Sequence, residues 1–303
     1  MADLTVKIAN INFANPILGA SGTFGYGNSF EQFYPLDEIG GFVTKGLSIL
    51  PMSGNPTPRM IETPSGLLNS IGLQNIGFEK FKNQVIPSLK IKKCKMLVNI
   101  FATSVDGYAL LTKKVTDLEL VSGIELNISC PNVRKGGIIF GSDPIESKKV
   151  IAACRAATDL PLFVKLSPNV TDIKEFAHIG ESEGADGLSL INTVRGMAID
   201  ILKESPSLAN IKGGLSGPAI KPIALSMIWD AYEAVKIPII GIGGITNASD
   251  VVEFLMAGAS AVQIGSHNFV DPTIVHSIID ELDILLERLN YNSVTDIIGL
   301  AAR

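Results

Sequence analysis

Cysteine and histidine are both scarce in this chain, with three of each among 303 residues. Cys94, Cys130 and Cys154 are too few and too scattered for a disulfide framework or a thiolate metal site. His178, His267 and His276 lack metal-ligand spacing with carboxylates or thiols and are expected on helix or loop surfaces, so no metal is expected. Lys and Arg form no cluster and the formal net charge is -5, which argues against a nucleic-acid surface, because grouped cations are needed to displace counterions. Every apolar stretch is broken before membrane-spanning length. The start, Met1-Ala-Asp-Leu-Thr-Val-Lys7, shows no basic segment followed by an apolar run, so a cytoplasmic protein without membrane association is expected. Interdomain linkers and low-complexity tracts are also missing, and residues 1–303 are expected to form one domain.

What the chain does have is apolar content, 46% against 18% charged residues, enough for a large core. Short β-branched or apolar runs recur at 17–21, 41–45, 96–101, 123–130, 162–167, 187–192, 237–243 and 261–266. Amphipathic stretches with helix-start signals separate several of them. Asp143-Pro-Ile-Glu146 opens a helix expected to end near Thr158, and Asn247-Ala-Ser-Asp250 opens one expected to end at Gly258. Eight alternating units of this kind predict a parallel sheet closed into a (β/α)8 TIM barrel rather than an open doubly wound sheet. Residues 6–13 read as an N-terminal β-hairpin, expected as a plug across the barrel floor. Two connections, 46–77 and 193–222, are far longer than a barrel needs and predict a substrate pocket on the carboxyl face.

Chemistry concentrates at the strand ends. Gly123-Ile-Glu-Leu-Asn-Ile-Ser-Cys-Pro-Asn132 alternates apolar and polar residues from Ile124 to Ser129, and Pro131 cannot donate to a ladder. The reading therefore sets Cys130 at the carboxyl end of the fourth strand, between the carboxamides of Asn127 and Asn132. Gly241-Ile-Gly-Gly-Ile-Thr246 after the seventh strand and Gln263-Ile-Gly-Ser266 at the end of the eighth stand where barrels commonly grip a phosphate. The nucleotide pattern G-x-G-x-x-G is absent from its strand-turn-helix setting, which disfavours a Rossmann-type site. Lys45 and Lys165 are cations inside apolar runs, and each must find an anion or lose its proton. That leaves open a Schiff-base lysine or a cation beside an anionic ligand. Asn99, Asn127 and Asn192 add carboxamides near the ends of the third, fourth and sixth strands, a ring of amides suited to a flat heterocycle.

Taken together, these residues resemble the catalytic subunit of the class 1 dihydroorotate dehydrogenases, over essentially the whole chain. The matching segments are Ala20-Ser-Gly-Thr-Phe-Gly25, Thr44-Lys-Gly46, Asn69-Ser-Ile-Gly-Leu-Gln-Asn75, Asn127-Ile-Ser-Cys-Pro-Asn132, Val164-Lys-Leu-Ser-Pro168, Ile191-Asn-Thr193, Gly214-Leu-Ser-Gly-Pro218 and the two glycine pairs. The wording of the third and seventh resembles the 1B subclass, whose members act with a second subunit carrying FAD and a 2Fe-2S cluster, as a heterotetramer of two catalytic and two electron-transfer subunits around a homodimer of the catalytic chain.

The resemblance implies FMN, its phosphate on Gly243, Gly244, Gly265 and Ser266, and its ring lined by Ser21, Lys45, Gly46, Asn99, Asn127, Lys165, Ile191 and Gly217. It implies that Lys45, Asn69, Ser70, Ile71, Gly72, Leu73, Asn127, Asn192 and Thr193 bind dihydroorotate, and that Cys130 takes a proton from C5 while hydride leaves C6 for flavin N5. Orotate would result, on the route to UMP, with electrons passing to NAD+ through the partner. The segment Val133-Arg-Lys-Gly-Gly137 would be a mobile lid. Two alternatives stand beside this reading. One is a fumarate-reducing 1A-type enzyme, and the other is a flavin-free phosphate-binding lyase using Lys45 or Lys165 as a Schiff base.

Overall fold

The computed structural model describes residues 1–129 and 140–302. Eight parallel strands close into a barrel: β3 (Ile17–Gly19), β4 (Gly41–Val43), β7 (Lys95–Ile100), β8 (Val121–Asn127), β9 (Leu162–Lys165), β10 (Gly187–Leu190), β15 (Ile239–Ile242) and β16 (Ala261–Ile264). Each pairs with its neighbours in chain order, and β16 pairs with β3 to complete the ring. The expected (β/α)8 architecture is therefore what forms.

Helices α2 (Val105–Thr116), α3 (Pro144–Arg155), α4 (Ile173–Ser182), α5 (Lys221–Ala234), α6 (Ala248–Met256) and α7 (Ile274–Arg288) cover the outside. In α7 the buried residues Ile274, Ile278, Leu282 and Leu286 recur every fourth position, one stripe facing the barrel. Each such side chain is worth roughly 1.5–3 kcal/mol on burial. The start signals act as expected: Asp143 accepts hydrogen bonds from the N–H groups of Ile145 and Glu146, and Asn247 accepts one from Asp250. Helix α3 stops at Arg155, short of Thr158, and α6 stops at Met256, two residues before Gly258, whose φ of 114° turns the chain away.

Two crossovers depart from the pattern. Between β3 and β4 there are only two 3-10 turns, Asn28–Phe30 and Leu36–Glu38, and Phe24 stacks on Phe30 at 4.0 Å to seal that side. Between β4 and β7 a short helix α1 (Phe78–Lys80) runs on as a π segment, Phe81–Val85.

The hairpin β1 (Val6–Ile8) and β2 (Ile11–Phe13) lies at the opposite end from the site. Ile11 and Phe13 reach the positions where Cβ atoms of Gly123 and Gly41 would stand, near the starts of β8 and β4. This is the floor plug the sequence predicts.

At the carboxyl face the two long connections meet each other. Strands β5 (Met60–Thr63) and β6 (Gly66–Asn69) come from the first, and β11 (Val194–Met197) and β14 (Lys212–Ser216) from the second, in one antiparallel sheet ordered β11-β14-β6-β5. A small hairpin, β12 (Ile199–Asp200) with β13 (Ser205–Pro206), extends beyond it. Among the described residues no helix is long and apolar enough to cross a membrane.

Candidate active site

Every barrel strand stops one to three residues before its expected end. The run 17–21 is a strand only to Gly19, 41–45 to Val43, 187–192 to Leu190 and 261–266 to Ile264. Ser21, Lys45, Gly46, Ile191, Asn192, Gly265 and Ser266 thus sit on the first residues beyond the ladder, where the backbone turns outward and its groups are released toward the mouth. Asn127 and Lys165 are the last residues of β8 and β9, and Asn99 lies one residue before the end of β7.

Inside the barrel a buried carboxylate organises these groups. Glu125 is wholly buried; its Oε1 accepts from Asn99 Nδ2 at 2.7 Å and lies 3.5 Å from Lys165 Nζ, and its Oε2 accepts from Ser189 Oγ at 2.7 Å and Gln263 Nε2 at 2.8 Å. Burial pushes this carboxyl up, but the Lys165 ammonium, then the donors of Gln263, Ser189 and Asn99, outweigh it and hold the group below the usual range. Lys165 also donates to Ser21 Oγ at 3.1 Å, so it spans β9 and the loop after β3.

With its amide nitrogen committed to Glu125, Asn99 turns Oδ1 the other way. That oxygen is buried with no hydrogen-bond partner among the described residues, and it lies 2.9 Å from where a Cβ on Gly46 would stand. An acceptor left unmade in the interior is costly, so the arrangement fits a ligand bringing an N–H group against the bare face of Gly46.

The carboxamides on the next strands are joined. Asn192 Nδ2 donates to Asn127 Oδ1 at 3.5 Å, Asn192 Oδ1 accepts from the Thr193 N–H at 2.8 Å, and Tyr108 Oη donates to the Asn127 carbonyl at 2.7 Å. Asn69 faces Gly214 across the β6/β14 pair and donates to its carbonyl at 3.4 Å. The following turn, Ser70 to Leu73, passes through positive φ at Gly72 (74°) and Leu73 (60°), and Asn55 pins it by donating to the Ser70 carbonyl at 2.9 Å and the Ile71 carbonyl at 3.0 Å.

Lys45 makes no ion pair among the described residues. Burial, then the nearby Arg59 charge, pushes its ammonium below the ordinary lysine value. Arg59 is itself held by Gln74 Oε1 at 2.6 Å. A lysine without a counter-charge among the described residues, under the influence of a second cation, favours an anionic ligand.

At the other side of the mouth, Gly243 and Gly244 follow β15 with φ of 137° and 77°. A Cβ on Gly244 would press the Gly217 carbonyl at 2.8 Å and the Lys221 N–H nitrogen at 3.0 Å, so the glycine lets the loop after β15 approach the 217–221 segment closely. A Cβ on Gly265 would meet nothing nearer than 3.8 Å, which leaves its face open. Asp250 steadies this end by accepting from the N–H and hydroxyl of Thr246, each at 2.8 Å, and from Lys221 Nζ at 2.6 Å. Cys130 and the segment 133–137 lie outside the described residues.

Comparison with known proteins decides the family. The family model described as dihydroorotate dehydrogenase matches residues 3–286. The chain belongs to the dihydroorotate dehydrogenase family. It is 52% identical over 297 residues to the "Dihydroorotate dehydrogenase B (NAD(+)), catalytic subunit" of Pelobacter propionicus, covering 98% of each chain. It is 50% identical over 299 residues to the protein of the same name from Parabacteroides distasonis, covering 99% of this chain and 98% of that one. Among solved structures it resembles the dihydroorotate dehydrogenase of Eimeria tenella in complex with ferulenol, with a TM-score of 0.82 and 25% identity over 99% of this chain and 89% of that chain.

Glu125, Arg59, Ser189 and Gln263 were not singled out by sequence reasoning. The signal for Glu125 was present, a carboxylate in a strand otherwise destined for burial. The alternation in 124–129 points opposite to the usual rule: Glu125 reaches four other barrel strands inside the ring, and the apolar Ile124 and Leu126 lie on the alternate side, equally buried. Arg59 carries no local pattern at all.

Proposed function

We propose that this chain oxidises (S)-dihydroorotate to orotate in pyrimidine biosynthesis, as the FMN-bearing catalytic subunit of a 1B-type, NAD+-linked enzyme. The observation that carries the reading is the unpartnered Asn99 Oδ1 against Gly46, with the Lys165 cation sharing the same carboxylate partner: one acceptor and one cation held together at the strand ends. Isoalloxazine offers that pattern, a ring N–H and an adjacent electron-rich N1 and C2=O edge. Bound FMN would supply the hydride acceptor. Gly243, Gly244, Gly265 and Ser266 are the residues for its phosphate, and Ser21, Lys45, Gly46, Asn99, Asn127, Lys165, Ile191 and Gly217 those for its ring.

In this reading Lys45 draws in the substrate carboxylate, assisted by the charge of Arg59, and the turn from Ser70 to Leu73 closes around it. Asn69, Asn127, Asn192 and Thr193 orient the pyrimidine edges, which fixes the face presented to the ring site. Cys130 removes the C5 proton as the base, which requires the thiolate form or proton loss in step with hydride departure. The engagement of Lys165 by Glu125 and Ser21 suits a cation, not the free amine a Schiff base requires.

Electron disposal to NAD+ would need a partner with FAD and a 2Fe-2S cluster, in a cytoplasmic assembly of two such partners with a dimer of this single-domain chain. The names of the relatives support that step, since each is a "catalytic subunit".

The visible spectrum before and after anaerobic addition of dihydroorotate tests the proposal. A flavin band that bleaches is expected. A band that persists overturns the substrate, and a protein that takes up no FMN on reconstitution overturns the flavin.

A further inference from the structure

We propose that Glu125 is a positioning residue for the ring site: its carboxylate fixes the attitude of Asn99 and Lys165 and, as the buried counter-charge of that lysine, lowers the electron affinity of a flavin bound above them. The inference rests on the FMN reading given above and extends it to a residue that would not touch the cofactor.

Five barrel strands contribute to one polar layer. Glu125 of β8 takes donors from Asn99 on β7, Lys165 on β9, Ser189 on β10 and Gln263 on β16. All four neighbours are nine-tenths or more buried, so water does not compete for these bonds. Among the described residues, the carboxylate is the acceptor that all four donors share. An amide can turn either end toward a neighbour, and what decides the matter for Asn99 is that Glu125 accepts and cannot donate. The nitrogen therefore points down to the carboxylate, leaving Oδ1 beside Gly46 as an acceptor. A neutral partner would relax that choice.

Charge follows the same geometry. A flavin held against Lys165 would have its reduced form stabilised by the ammonium, and the carboxylate 3.5 Å from that ammonium would offset part of the field in a dry, weakly screening interior. The pair also explains how a carboxylate is tolerated with no exposure: three neutral donors and one cation compensate it. A hydrophobic residue would fill the space more simply. Its presence under the site makes sense as control over which atoms, and how much positive field, face the cofactor.

The test is E125Q, reconstituted with FMN and compared with the wild-type protein by dye equilibration at pH 7. At one fixed poise, the ratio of reduced to oxidised flavin is expected to rise at least tenfold in E125Q, and the rise should vanish when E125Q is made in a K165M background. An unchanged or lowered ratio in E125Q, or a rise that persists without Lys165, overturns the inference while leaving the flavin reading intact. Absence of FMN from the wild-type protein would instead strike at that reading. Should E125Q not fold, K165M carries the test without flavin: a buried carboxylate stripped of its cation should take up a proton, giving an infrared carboxylic-acid band absent from wild type. No such band overturns the pairing.

Discussion

Thr193 fills the space in front of Gly214: a Cβ at residue 214 would overlap the Thr193 hydroxyl and its Cβ. The contact joins the start of the second long connection to β14 of the same connection, the strand that pairs with β6, so Thr193 is braced by the sheet that roofs the proposed substrate pocket.

Gly214→Ala should therefore push Thr193 aside or strain the β11/β14 pair beside it. Overpacking of this kind costs roughly 1–3 kcal/mol. A lowered Tm is expected together with a several-fold rise in KM for dihydroorotate and a smaller change in kcat. An unaltered KM would show that Thr193 does not meet the substrate.

Lys45 makes no ion pair among the described residues, and the Arg59 charge acts on it. Because burial and Arg59 both depress the Lys45 ammonium, that residue discharges below the ordinary value of 10.5 as pH rises, and orotate binding should weaken on that alkaline side. Arg59→Gln removes one depressing influence, so the alkaline loss should move to higher pH even as affinity at pH 7 falls. Orotate titrations across the alkaline range check both. A pH profile that stays put in the variant would uncouple the two cations.

Cys130→Ser should retain FMN and orotate binding yet lose much of its flavin-reduction rate at neutral pH, because a hydroxyl is a far weaker base than a thiolate. Stopped-flow bleaching of the flavin band by dihydroorotate is the measurement. Undiminished reduction would remove Cys130 from the mechanism.

Asp250 should contribute to acid sensitivity. Burial raises its carboxyl, but Lys221 and the two bonds from Thr246 bring it below 3.8. A depressed folded value means the stabilisation is complete above 3.8 and is lost as pH falls through the folded value. Asp250→Asn should cost about 1–3 kcal/mol near neutrality, and Tm should then fall less steeply than wild type on acidification. Parallel Tm curves for the two proteins would assign the acid loss elsewhere.

The barrel was legible because its strands are short β-branched runs with helices between them, and because Asp143 and Asn247 announce their helices. The strand ends were read too long for a physical reason. Ser21, Lys45, Asn192 and Ser266 continue the local pattern of the strand, and only the barrel's geometry turns them out of the ladder. Local sequence also gave no sign that 46–77 and 193–222 pair with each other, since antiparallel register between β6 and β14 is a long-range choice. Glu125 was hidden by a rule that sends polar alternation to solvent, whereas a closed ring of strands has an inside that can be polar. Gly243-Gly244 and Gly265-Ser266 stand just beyond the seventh and eighth strands as read, and what they grip rests on the proposal above.

Asn69 and the Gly214 carbonyl it reaches are separated by 145 positions along the chain. During synthesis the first half of the pocket roof leaves the ribosome long before the second half exists. A nascent chain thus cannot complete its roof until β14 has emerged, and the last two strands, which carry the glycine ends, come later still. Under the FMN proposal above, cofactor capture becomes a late event by construction, and a truncated chain would lack the residues proposed to hold the phosphate.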